Sequence, residues 1–117
     1  MITPSNITLG KDKNLLTLTF EGTDYPLSAE FLRVYSPSAE VVGHGPGQET
    51  LQLDKENVKI DRIEPTGNYA IILFFNDGHD TGIYSWTHLH KLATDQSALW
   101  STYLKRLKEA GHSHSQL

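Results

Sequence analysis

The chain of 117 residues contains no cysteine. It therefore has no disulfide bond, no thiolate zinc site, no cysteine-ligated iron–sulfur cluster and no cysteine nucleophile. Histidine and carboxylate side chains are left as the main candidates for metal ligands. The absence of cysteine does not by itself decide the compartment in which the protein works.

The sequence also lacks an excess of positive charge and any long hydrophobic run. Ten basic residues stand against 14 acidic ones, which gives a formal net charge of −4. Nucleic-acid-binding surfaces are basic because they neutralise phosphates, so we expect no nucleic-acid partner. No apolar stretch approaches the roughly 20 residues that span a bilayer, and residues 1–10 do not resemble a signal peptide. We therefore expect a cytoplasmic protein without a membrane partner.

The length and composition are typical of one globular domain that spans residues 1–117. Apolar and polar side chains alternate over 15–20, which predicts a half-buried strand, and the apolar run 69–75 predicts a central strand buried on both faces. Apolar residues at helical spacing over 99–110 predict a last helix, followed by a frayed tail at about 111–117. We expect an α+β fold, with an antiparallel β-sheet of about five to seven strands, short helices and a C-terminal helix.

Two stretches of the sequence, 15–32 and 71–89, share a layout. Each has an apolar strand that ends in phenylalanine, an acidic-Gly turn, a short return strand and a turn of helix that ends in leucine. Ser28 in the first stretch, and Ser85 or Thr87 in the second, are candidate helix caps. The likeness indicates either a duplicated hairpin-plus-helix unit or the ordinary similarity of hairpins.

The histidines are the first candidates for metal chemistry, with His79, His88 and His90 closest to a cluster. No carboxylate–histidine pattern with metal-ligand spacing accompanies them, so we favour scattered surface histidines. Asp77 beside His79 indicates either an acid–base pair or turn chemistry, and we favour the turn because Asn76 and Gly78 complete it. The glycine-rich segment 43–47 lacks the Lys-Ser/Thr of a phosphate loop, so we expect a surface loop.

Several short segments of the sequence form a recognisable set: Leu32-Arg33, Ser36-Pro37-Ser38, Asn76-Asp77-Gly78-His79, and Tyr84-Ser85-Trp86 followed by Leu89. Together they resemble one known family, the gamma-butyrobetaine hydroxylase-like N-terminal domain family. The resemblance covers roughly residues 7–107 and implies a compact, sheet-rich α+β domain. It also implies an accessory module, since the domain occurs alone in bacteria, in front of carnitine-pathway hydroxylases that use iron and 2-oxoglutarate, and joined to iron–sulfur scaffold NTPases.

Hydroxylase members of that family can carry a structural zinc held by three cysteines and one histidine. The resemblance places Ser36, Ser38 and Val41 at the cysteine positions and His79 at the histidine position. A serine hydroxyl is a weak zinc ligand and valine is none, whereas structural zinc needs four good donors. We therefore expect no metal and no cofactor here, with His79 as the one retained ligand and, most simply, a turn residue.

These observations predict a non-catalytic accessory or protein-interaction domain of unknown pathway, not an enzyme. Its partner would be another protein, or a second copy of the chain. The candidate contact residues are Arg33, His79 and Trp86, of which Arg33 is expected at an exposed edge. The alternative is a small metal- or iron–sulfur-assembly-associated protein that uses histidine and carboxylate ligands. A stand-alone oxygenase ranks last because the chain lacks the two-histidine, one-carboxylate iron motif.

Overall fold

The computed structural model describes residues 2–43 and 49–117, and over these ranges six strands form two separate antiparallel sheets. The strands of the first sheet are β1 (Asn6–Leu9), β2 (Leu15–Phe20) and β3 (Thr23–Ser28). Those of the second are β4 (Ile60–Thr66), β5 (Ala70–Phe75) and β6 (Ile83–Ser85). The α+β class and the number of strands are confirmed, and the division into two three-stranded sheets is the added detail.

In the described part of the chain, helices follow each sheet. They are α1 (Ala29–Val34), α2 (Ala39–Val42), α3 (Trp86–Thr94) and α4 (Gln96–Glu109). The hydroxyls of Ser28, Ser38 and Ser85 accept backbone N–H groups at the starts of α1, α2 and α3, which stabilises helices too short to be stable alone. None of these four helices, which are all that the described residues contain, is long and apolar enough to cross a membrane.

The layout repeated in the sequence is also repeated in the structure. Each sheet is a meander with its strands in chain order, and the last strand runs directly into a serine-capped helix. The acidic-Gly turns need a left-handed backbone, with φ of 82° at Gly22 and 89° at Gly78, which glycine adopts without strain. The two hairpin-plus-helix units therefore match in architecture as well as in sequence pattern.

The two sheets share one hydrophobic core. Alternate residues of β2 and of β5 point into it, as the period of two in a strand requires. Side chains of α1 and α3 complete the same cluster. Its most deeply buried large members include Leu16, Leu18, Phe20, Phe31, Leu73, Tyr84 and Leu89.

Strand β5 is the centre of its sheet, as predicted, but only one of its faces is fully buried. Ile71, Leu73 and Phe75 lie in the core, whereas Ile72 and Phe74 on the other face are half-buried. The guanidinium carbon of Arg62 lies 4.0 Å from the centre of the Phe74 ring and gives that face a partial cover. The register of β4 against β5 shifts between Ile60 and Arg62, as at a β-bulge.

The less regular segments include the end of the chain and the glycine-rich stretch after α2. The sequence predicts a frayed tail at about 111–117, whereas the structure docks residues 112–117: the N–H of His112 donates to the Leu107 carbonyl, and the His114 side chain is only 3% exposed. The predicted loop 43–47 lies, apart from Gly43, outside the described residues. Gly43 ends α2 with φ of 78°, in the region that favours glycine.

Candidate functional site

The four positions that the family resemblance singles out lie on two neighbouring segments. Ser36 and Ser38 connect α1 to α2, Val41 is in α2, and His79 is in the loop between β5 and β6. Ser36 Oγ and His79 Nε2 are 2.8 Å apart although 43 residues separate them in sequence. Both residues are buried, at 1% and 5% exposure. The Ser36–His79 cluster is defined here as these two residues with Ser38, Glu40 and Thr81.

Hydrogen bonds and a glycine hold the two segments together. The Ser38 N–H donates to Ser36 Oγ over 3.2 Å, and the hydroxyls of Ser38 and Thr81 are 2.8 Å apart. A side chain at Gly82 would place its Cβ 2.5 Å from Ser36 Oγ, a distance that real Cβ atoms do not show. The loop therefore needs glycine at this position so that its backbone can lie directly against Ser36.

The partners of the two ring nitrogens of His79 indicate which nitrogen carries the proton. Burial, and then the charge of Arg33, lower the pKa of His79, although Glu40 and Asp77 oppose the shift, so the ring is neutral near pH 7. Nδ1 lies 3.3 Å from the carboxylate of Glu40, which can only accept a hydrogen bond. Nδ1–H therefore donates to Glu40, and the Ser36 hydroxyl donates to Nε2.

Asp77 anchors the same loop from its other side. Its Oδ2 accepts hydrogen bonds from Arg33 Nε over 2.8 Å and from Lys55 Nζ over 2.6 Å, and its Oδ1 accepts from the N–H of His79. Burial raises the pKa of the Asp77 carboxyl, but these hydrogen bonds and the Arg33 charge outweigh it and lower the pKa to about 2. Asp77 is therefore a turn and ion-pair residue, as the turn interpretation predicted.

The three predicted contact residues do not form an exposed patch. Arg33, His79 and Trp86 are 7%, 5% and 8% exposed. Arg33 was expected at an exposed edge, but α1 is buried on all sides, and its guanidinium is held by Asp77 and Gln52. The indole of Trp86 is in the main core and donates to the Asn68 carbonyl. Each of these side chains therefore makes an internal contact in this structure.

The histidines proposed as a metal cluster serve separate contacts. His88 Nε2 lies 3.1 Å from the carbonyl of Tyr35, and His90 lies edge-on to the ring of Phe20 at 5.1 Å. Within residues 2–43 and 49–117, no group of three or more histidine, aspartate or glutamate side chains is arranged to hold a metal ion. The metal-associated alternative therefore has no donor set in the part of the chain that the structure describes.

A family model described as gamma-butyrobetaine hydroxylase-like, N-terminal, matches residues 7–90. The chain belongs to this family. The match includes both sheets, α1 to the middle of α3, and the whole Ser36–His79 cluster. It ends before α4, which is therefore an addition to the part that the family model describes.

Three of the solved structures that are similar to the chain each cover most of it. The first is an NMR solution structure that is 50% identical, with a TM-score of 0.85; the alignment covers 97% of this chain and 90% of the other. The second is also an NMR solution structure, 47% identical, with a TM-score of 0.81 over 97% of this chain and 86% of the other. The third is a crystal structure from Acidithiobacillus ferrooxidans of a protein of unknown function in the DUF971 family, 33% identical, with a TM-score of 0.61 over 77% of this chain and 91% of its own. A comparison with curated proteins gave no match.

The zinc that some members of the gamma-butyrobetaine hydroxylase-like family carry does not fit the side chains of this one. Ser36 Oγ is engaged with His79, and Ser38 Oγ with Thr81, so neither hydroxyl is free. Val41 is a buried apolar residue. One imidazole is the only strong zinc donor at the four positions, and a structural zinc needs four. Hydrogen bonds thus join the same two segments that a metal would join.

The order of groups in the cluster, serine hydroxyl to imidazole to carboxylate, is also the order of a serine-hydrolase triad. A nucleophile, however, must reach a substrate, and Ser36 lies beneath the backbone of Gly82. The cavity that borders Ser36 measures about 140 Å³ and has Val34, Val41 and Val42 in its wall. Ligand sites usually measure about 300–1,000 Å³. The arrangement can relay a proton internally, but it offers no room for an acyl substrate.

The position of the cluster is predictable from the sequence, but Glu40 and Thr81, which complete it, and Lys55, which binds Asp77, are not. Their partners lie 22 to 43 residues away along the chain. Such pairs leave no periodic signal in a single sequence. The one local clue is Gly82, which follows the turn and marks a place where two segments approach closely.

Proposed function

We propose that this chain is a non-catalytic protein-interaction domain. The observation that carries the proposal is the state of the Ser36–His79 cluster, whose Ser36, Ser38 and His79 side chains are buried and bonded to other side chains. A group that is fully hydrogen-bonded and covered stabilises the loop but is not presented to a substrate. The cluster therefore acts as a cross-link between the α1–α2 connection and the β5–β6 loop.

The remaining described surface supports the same conclusion. Every buried side-chain nitrogen or oxygen atom among the described residues has a hydrogen-bond partner, so none is left aimed at an absent ligand. Two further cavities, of about 220 and 370 Å³, are open clefts beside α4; the first is smaller than the usual ligand site and the second is at the lower end of the range. A protein partner needs a surface rather than a deep pocket.

Labelling with a fluorophosphonate probe, which reacts covalently with activated serines, tests the non-catalytic part. We expect no labelling of the wild-type protein above that of the Ser36→Ala variant, because Ser36 is inaccessible. Peptide mapping after the reaction identifies any modified residue. Stoichiometric modification of Ser36, lost in Ser36→Ala, would show an active nucleophile and overturn the proposal.

Reciprocal affinity capture tests the protein-interaction part. The chain is used as bait in native lysate, and each captured protein is then purified and titrated back by calorimetry. We expect a stoichiometric complex whose affinity is the same for the wild type and for folded Ser36→Ala, because the cluster is internal. Recovery of the chain alone, or of proteins that give no saturable binding on titration, would count against an interaction domain.

A further inference from the structure

A groove beside α4 holds the last residues of the chain. Its walls are Glu30 of α1, Asp54 and Glu56 of the segment before β4, and Trp100 and Tyr103 of α4. Residues 112–117 lie in it, after Gly111 ends the helix with φ of 72°. These walls are named the C-terminal groove, and residues 112–117 the C-terminal segment.

The deepest contact in the groove is made by an imidazole. His114 Nε2 donates to Glu30 Oε2 over 2.8 Å, and the Tyr103 hydroxyl donates to the same oxygen over 2.6 Å. The N–H of Gln116 donates to Nδ1 of His114, which places the ring proton on Nε2. The ring meets those of Trp100 and Tyr103 edge to face, with centres 5.8 and 6.1 Å away. The slot therefore fits a flat side chain that carries an N–H donor.

Contacts along the rim hold the rest of the segment. The backbone N–H and the hydroxyl of Ser115 both donate to Glu56, and this contact lowers the pKa of the Glu56 carboxyl. The indole N–H of Trp100 donates to the side-chain oxygen of Gln116 over 2.8 Å, and His112 Nε2 lies 3.0 Å from the Asp54 carboxylate. Open clefts border the segment, one of about 220 Å³ at residues 112–114 and one of about 370 Å³ at Gln116. The groove thus has room for a longer peptide than it holds.

The acids of the groove need a donor-bearing occupant. Glu30 is buried, and a buried carboxylate is costly unless hydrogen bonds satisfy it. Burial, and then the hydrogen bond and charge of Glu30, raise the pKa of Tyr103, with further contributions from Glu56 and Asp54. The site is therefore electrostatically negative, and histidine is a side chain that fills the slot and donates to the acid.

We propose that the C-terminal groove is a binding site for a histidine-bearing peptide segment of a partner protein, and that the C-terminal segment occupies it in cis as a competitor. The inference rests on the proposed function and names its surface. A partner peptide can replace the C-terminal segment because docking in cis needs only weak affinity. A tethered segment is present at an effective concentration on the order of millimolar. A partner peptide that also fills the two clefts has more surface to bury than the segment has.

In the test, the synthetic peptide His-Ser-His-Ser-Gln-Leu is titrated into a shortened protein that lacks residues 112–117. Binding is monitored by NMR. The chain has two tryptophans, so their indole N–H signals form an internal pair: Trp100 is in the groove, and Trp86 donates to Asn68 in the core. We expect the Trp100 signal to move saturably with a dissociation constant of about 1 mM or lower, while Trp86 stays in place. The wild type, whose groove is filled, should respond at least tenfold more weakly.

Peptide variants show whether the slot reads histidine. Replacing the residue that corresponds to His114 by alanine should weaken binding at least tenfold, whereas the same change at His112, whose imidazole is more exposed, should have a smaller effect. Glu30→Gln in the shortened protein should weaken binding of the unmodified peptide to a similar degree as the alanine replacement at the His114 position. Equal affinities for all three peptides, or no response at Trp100 in a folded shortened protein, would overturn the proposal.

A second measurement covers the case in which the shortened protein does not fold. In full-length His114→Ala, the amide protons of Ser115 and Gln116, which donate to Glu56 and to His114, should exchange at least tenfold faster than in the wild type. The amides of β5 should not change. Unaltered exchange at both positions would exclude docking through His114. A partner that binds the wild type and the shortened protein with equal affinity would show that the groove is not its binding site. The proposed function as a protein-interaction domain would still stand.

Discussion

At the residue scale, the interior of this domain contains several titratable groups, and their burial links its stability to pH. Burial lowers the pKa of both His79 and His88 from the usual 6.5, with the Arg33 charge adding to the effect at His79. At pH values between the lowered pKa of the folded state and the pKa of 6.5 in the unfolded state, the unfolded chain therefore binds more protons than the folded chain. Their stabilising contribution is complete above pH 6.5 and is lost as the pH falls through the folded-state values.

We predict that His88 accounts for part of this dependence. The free energy of unfolding in urea, measured at pH 7.5 and at pH 5.5, should fall at the lower pH, and it should fall less in His88→Gln, which cannot titrate. Asp77 does not interfere, because its pKa is lowered from 3.8 to about 2 and its contribution is lost only below pH 3.8. An equal fall in both proteins would show that His88 titrates alike in the folded and unfolded chains.

Ser36 allows a second prediction at the same scale. Ser36→Ala removes the hydroxyl that donates to His79 Nε2 and leaves a buried ring nitrogen without a partner, which should cost about 1–3 kcal/mol of unfolding free energy. Ser101→Ala, an exposed position on α4, is the matched control and should change stability by less than about 0.5 kcal/mol. Urea denaturation of the three proteins gives both values. A negligible cost at Ser36 would mean that the cross-link contributes no stability.

At the scale of elements, β5 shows what a hydrophobic pattern can and cannot predict. The run 69–75 identified the strand and its central place, but with apolar residues at every position it gave no sign that one face is only half covered. Leu73→Ala should therefore cost about 2–5 kcal/mol, because it opens a cavity in the core, and Ile72→Ala distinctly less. Thermal and urea unfolding would decide; equal costs would mean that both faces are packed to the same density.

The other elements were predictable where they depend on neighbouring residues, and were not where they depend on residues far apart in the sequence. The hairpin turns and the serine caps of α1 and α3 depend on neighbouring residues, and both were predictable from the sequence. The short helix α2 and the docked C-terminal segment were not. Glu30 and His114, which make the deepest contact of that segment, are 84 residues apart. For the same reason the positions of the Ser36–His79 cluster were predictable, while its hydrogen-bond partners were not.

At the scale of the whole molecule, the two hairpin-plus-helix units are alike in layout but do not have separate cores. Residues of both sheets belong to one hydrophobic cluster, and the N–H of Ile60 at the start of β4 donates to the carbonyl of Lys13 in the first hairpin. A unit removed from the other would expose its half of that cluster to water, which is unfavourable in proportion to the apolar area. The architecture is repeated, and the stability is shared.

We therefore predict that the domain unfolds in one cooperative step. Far-ultraviolet circular dichroism reports on all elements, and tryptophan fluorescence reports on Trp86 at the start of α3 and Trp100 in α4; their urea transitions should coincide. Hydrogen exchange adds a test by sheet, since amides of β2 and β5 should show the same maximal protection free energy. Leu16→Ala in β2 and Leu73→Ala in β5 should lower that value equally in both sheets. A loss of protection confined to the sheet that carries the substitution would show that the two units are independent folding units.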